Sequence, residues 1–120
     1  MTTIKSYTNI KQSKKLAEIL PLESADYHYI AQGEKSYFYP YSLSSDAVKD
    51  YDEEIKYIPC WSLAALLSVL DFPSLTQNKE DEWEVCVPNH QSDGYIEVSA
   101  SNPVDACVAM IEKLHELNLL

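Results

Sequence analysis

The 120-residue chain contains no arginine. Without a guanidinium fork, the bidentate contacts that read guanine or clamp a phosphate are closed to it. Glycine is almost as scarce. Gly33 and Gly94 are the whole supply, too few for a P-loop or a dinucleotide fingerprint, and no GxSxG elbow occurs. Cysteine appears three times, as Cys60, Cys86 and Cys107. An odd number of widely spaced cysteines predicts reduced thiols and a cytoplasmic location, not a disulfide framework. The histidines, His28, His90 and His115, are equally scattered, with no CxxC, HxxxH or HExxH. No metal site and no cofactor are expected on that pattern. The opening residues MTTIKSYTNIKQSKK hold lysines but no apolar stretch, so no signal peptide is expected.

The charge that is present is one-sided. Nineteen acids face nine lysines, for a formal net charge of −10. Lys5, Lys11, Lys14 and Lys15 all fall in the first fifteen residues, which contain no acid. Such a balance disfavours direct binding to nucleic acid or to an anionic membrane, and favours a partner with a basic surface. Hydrophobic residues at 46% and charged residues at 23% are ordinary for a globular chain, and 120 residues fit a single domain, 1–120, with Met1–Thr8 as a loose leader.

The one long apolar run is Ile58–Leu70, IPCWSLAALLSVL. Pro59 suits a first helical turn, the alanines and leucines favour a helix, and Pro73 forces a stop. The run predicts a central buried helix over 58–70, far shorter than the roughly 20 apolar residues of a bilayer span. Before it, Asn9 or Thr8 caps a helix over Ile10–Leu20, ended by Pro21. After it, Thr76–Asp81 reads as a polar turn. Trp83–Val87 and Tyr95–Ser99 alternate as two strands of a hairpin, with Cys86 facing away from Trp83, Val85 and Val87. The last helix begins with Asn102 as cap, Pro103 in the first position and Asp105 in the third. Its apolar stripe is Val104, Cys107, Val108, Ile111 and Leu114. The expected fold class is α+β: a small antiparallel sheet of two to four strands packed with three helices.

Residues 24–57 hold seven of the nine tyrosines. Tyr27–Ile30 and Tyr37–Tyr39 alternate about Gln32–Lys35, which fits either a hairpin or one irregular tyrosine-rich loop. Tyrosine supplies large contact area at low entropy cost, and is enriched in binding patches. Tyr37, Tyr39, Tyr41, Asp50, Tyr51, Asp52, Glu53 and Glu54 are therefore the candidate partner-binding residues. The alternative is that these rings cover a sheet or a helix with their hydroxyls in water.

Three segments, QSKKLAEILPLESADYHY, IPCWSLAALLSVLDFPS and SNPVDACVAMIEKLHELNLL, resemble a family of small uncharacterised bacterial proteins of prophage-like and other mobile elements. The resemblance covers about half the chain, mostly caps and core positions. It implies a mobile-element context, and no activity, cofactor or site residue.

The leading expectation is a non-enzymatic acidic binding or adaptor domain that engages a basic protein partner through its tyrosine-rich acidic segment. Two alternatives come from other classes. One is a small cysteine-dependent enzyme using Cys60, whose thiolate a first helical turn would stabilise. The other is a self-assembling homodimer with a buried tyrosine face.

Overall fold

The computed structural model describes residues 5–32, 35–36, 40 and 55–120. They form two compact units: one within Tyr7–Ala65, the other within Leu66–Leu120 joined by Lys5 and Ser6. Among the described residues the fold is α+β, with three α-helices and two three-stranded antiparallel sheets where one sheet was expected.

The first unit starts from a capping box. Gln12 N donates to Asn9 Oδ1 at 2.8 Å, and Asn9 N donates to Gln12 Oε1 at 3.1 Å. Two of the free donors at the start of helix α1, Ile10–Ala17, are thereby satisfied. Strands β1 (Tyr27–Gln32), β2 (Lys35–Ser36) and β3 (Ile55–Cys60) pair antiparallel in the order β2-β1-β3. The register places Tyr27 opposite Cys60, Tyr29 opposite Ile58 and Gln32 opposite Ile55. Helix α1 packs against β3 and buries Ser13 and Leu16.

The helix expected over 58–70 is corrected by this sheet. Ile58, Pro59 and Cys60 belong to β3, and the helix α2 runs only over Leu63–Val69. The reason is tertiary. Pairing with β1 satisfies the backbone there, and Pro59 lies on an edge strand, where a missing N–H is tolerated. Ser62, within the span expected as helix, is instead the cap of α2. Its Oγ accepts from Ala65 N at 3.2 Å, while Ser62 N and Oγ both donate to the Asp26 carboxylate. Of the leader expected over Met1–Thr8, Tyr7 and Thr8 belong to the fold. Tyr7 bridges to Ser62, and Thr8 is fully buried, its N donating to Trp61 O at 2.9 Å. The hairpin expected about a Gln32–Lys35 turn is corrected: β1 holds Tyr27–Ile30, but Gln32 and Lys35 belong to the ladder, Gln32 pairing with Lys35 and Ala31 with Ser36. Tyr37–Tyr39 lies outside the described residues.

The second unit is a meander of β4 (Ser74–Gln77), β5 (Trp83–Pro88) and β6 (Tyr95–Ala100), covered by helix α3 (Pro103–Glu116). Val85 pairs with Val98 and Val87 with Ile96 on the covered face. Strand β4 replaces part of the expected polar turn. Its burial is carried by Leu75 alone, so ladder hydrogen bonds to β5, not its own hydrophobicity, make it a strand. Both hairpin loops are seeded by asparagine. Asn78 Oδ1 accepts from Glu80 N and Glu82 N, and Asn89 Oδ1 accepts from Gln91 N, the local bonding that suits this residue to turns. Helix α3 matches expectation: Asp105 N donates to Asn102 Oδ1 at 2.9 Å, Pro103 follows the cap, and the expected stripe is buried.

Candidate functional site

The C-terminal end of α3 builds a candidate site. Asn118 adopts φ 57°, the left-handed conformation that ends many helices. Leu119 N then donates to Leu114 O at 2.8 Å, and Asn118 N donates to His115 O at 3.1 Å. These two bonds define a Schellman motif, whose usual companion is an apolar contact between the residues at its ends. Here those residues are Leu114 and Leu119. Both line a depression of about 110 Å³, together with Val87 and Pro88 from the end of β5, His90 from the next turn, and Asp71 from the corner after α2.

Its floor is therefore aliphatic, and its polar groups form one pair. His90 Nε2 and Asp71 Oδ2 are in hydrogen-bond contact, with the two side chains 68% and 60% exposed. A histidine held by a carboxylate is half of a nucleophilic triad, but no hydroxyl or thiol lines this depression. What the arrangement supplies is recognition: an apolar wall beside a carboxylate. Next to Asp71, Phe72 takes φ 47° with its ring 80% exposed. A bulky residue in that conformation is strained.

The sequence candidates lie elsewhere. Cys60 ends a strand and does not begin a helix, so the helical turn expected to stabilise its thiolate is not there. It is 0% exposed, and burial pushes its thiol up, against the opposing hydrogen bonds of Thr8, Ser13 and Tyr29. Its Sγ donates to Thr8 O at 3.4 Å, and Tyr29 Oη donates to the same carbonyl at 2.7 Å. Thr8 Oγ1 lies 2.8 Å from Ser13 Oγ and accepts from Trp61 N at 3.2 Å. This cluster ties the segment before α1 to the end of β3. Cys107, on the buried stripe, is pushed up to about 12 by burial. Cys86 is half-buried on the face opposite Val85 and Val87, as its alternation indicated. His28 is buried, edge-on to Tyr57 with ring centroids 6.3 Å apart. Tyr37, Tyr39, Tyr41, Asp50, Tyr51, Asp52, Glu53 and Glu54 all lie outside the described residues.

No group of acids, histidines and cysteines able to hold a metal ion occurs among the described residues. No helix among them is long and apolar enough to cross a membrane. No family model, curated protein or solved structure matches the chain.

Sequence reasoning had passed over Asp71, His90 and Leu119. Asp71 lies just before the helix-stopping Pro73, and His90 is only one of three scattered histidines. A signal for the floor was present: an Asn four residues after Leu114 and followed by Leu-Leu is the pattern of a Schellman end.

Proposed function

We propose that this protein is a non-enzymatic acidic binding or adaptor domain whose partner is a protein with a basic surface. The observation that carries the reading is the distribution of charge. Residues 66–120 contain ten acids against two lysines, and residues 7–65 contain nine against six. Asp71, Glu80, Asp81, Glu82, Asp93, Glu97 and Glu116 are all exposed. An excess of one sign over an exposed surface steers an oppositely charged partner and speeds its encounter. The tyrosine-rich segment supplies the contact area in this reading, through Tyr37, Tyr39, Tyr41 and Tyr51 with Asp50, Asp52, Glu53 and Glu54. The resemblance to mobile-element proteins supplies its context. The cysteine-enzyme alternative draws little from Cys60, whose thiol is buried and held neutral.

The test is capture of partners from the native host's lysate at low and moderate salt, read by mass spectrometry. A stoichiometric protein held at low salt and released at moderate salt is expected. Binding should fail for a variant carrying Asp50→Lys, Glu53→Lys and Glu54→Lys. Binding and salt dependence that are unchanged in that variant would remove the tyrosine-rich segment from the interface.

A further inference from the structure

We infer that the depression at the end of α3 is a receptor for a single long basic side chain, a lysine or arginine projecting from the partner. The inference deepens the acidic-partner reading and rests on it for the choice of a cation; the geometry supplies the place. Lysine and arginine combine an aliphatic stem with a charged head, and they bury the stem along apolar surface while the head stays in water. The site offers the matching halves. Val87, Leu114 and Leu119 form the apolar wall, and Asp71 stands beside it. Asp71 Oδ2 carries the His90 contact. A carboxylate has two oxygens and about four lone-pair directions, so Oδ1 serves an incoming ammonium or guanidinium without displacing the histidine. The surroundings select a cation over an anion, because the unit that holds the site has ten acids between residues 66 and 120 against Lys79 and Lys113.

Phe72 is the next residue in the chain after Asp71. Its backbone is held in a region that disfavours any residue with a Cβ, yet its ring remains 80% exposed. Buried packing therefore does not repay the strain. Phe72 does not line the depression, but it is next in the chain to the proposed anchor, and its exposed ring is placed in the proposal as a neighbouring contact for the ligand.

The probe is Nα-acetyl-lysine methylamide, titrated into the full chain at low salt and followed by backbone amide NMR, with the norleucine counterpart as the uncharged control. Shifts confined to Asp71, Phe72, Val87, His90 and Leu119 are expected, larger for lysine than for norleucine. Asp71→Asn should weaken the lysine probe about two- to fivefold, the range for an exposed ion pair. Phe72→Gly should weaken it too while raising the melting temperature, since glycine relieves the φ 47° strain. A gain of stability with unaltered probe binding would remove Phe72 from the site. Shifts scattered over the exposed acids, insensitive to Asp71→Asn, would overturn the pocket. A deca-lysine peptide separates the two levels. Salt-sensitive binding of that peptide that ignores Asp71→Asn leaves the acidic-partner reading standing without this receptor. No binding of either probe overturns both.

Discussion

Three cysteines of one chemical type stand in three environments. Cys60 and Cys107 are fully buried, and Cys86 is half-buried on an outward face. Alkylation needs both access and thiolate. Iodoacetamide at mildly alkaline pH should therefore label Cys86 in the native protein, and reach Cys60 and Cys107 only after denaturation. Ready native labelling of Cys60 would reopen the cysteine-enzyme alternative. The same burial sets an alkaline limit on stability. Cys107 is held neutral up to about 12, against an ordinary value of 9.0. Between those limits the unfolded chain releases a proton that the native state retains. Stability should thus be unaffected by this group below pH 9 and fall above it, with a slope approaching about 1.4 kcal/mol per pH unit. Cys60 shifts in the same direction and adds to the fall. Urea denaturation across alkaline pH, compared with Cys107→Ala, measures the Cys107 share.

At the scale of elements, the caps are legible and the tertiary partners are not. Asn102, Pro103 and Asp105 mark the start of α3 by residue type alone, because each acts on donors within one turn. At the start of α2 the Ser62 cap is local, but the cap is itself held by Asp26, thirty-six positions away, and no local pattern announces that bond. The end of α3 makes a prediction of its own. At φ 57° Asn118 is tolerated, glycine is favoured, and a β-branched residue is strained. Asn118→Val should cost about 1–2 kcal/mol, and Asn118→Gly should be neutral or slightly stabilising, both read from urea midpoints at unchanged m. Since Leu114 and Leu119 are joined by this motif, the valine variant should also blunt the lysine-probe shifts at Leu119. Equal stability of the two variants would show that the Schellman end contributes nothing.

For the molecule as a whole, charge is the dominant surface property. A net charge of −10 on 120 residues repels itself in the native state, and in the proposed function it attracts a basic partner. Salt screens both, with a Debye length of about 10 Å at 0.1 M. Raising the salt from low to moderate should therefore raise the melting temperature while weakening partner binding. A melting temperature indifferent to salt would mean that the acids are too far apart to interact, and would weaken the case for a concentrated acidic surface.

Composition and local pattern by themselves determined the α+β class, the start of the first helix, the last helix with its cap, the Trp83–Ser99 hairpin, and the excess of acid; the first helix ends at Ala17, short of the expected Leu20. Each follows from interactions within a few residues or from counting. Only the tertiary structure decided that Ile58–Cys60 is strand, that Ser74–Gln77 joins a sheet, that Cys60 is sealed by Thr8, Ser13 and Tyr29, and that Asp71 and His90 meet over Leu114 and Leu119. The apolar run Ile58–Leu70 satisfies helix and strand alike, and β1 settles it by pairing residue for residue with its first part. Asp71 and His90 are nineteen positions apart. Their contact is created by the chain path that brings the turn after β5 beside the corner after α2, and nothing local to either residue encodes it.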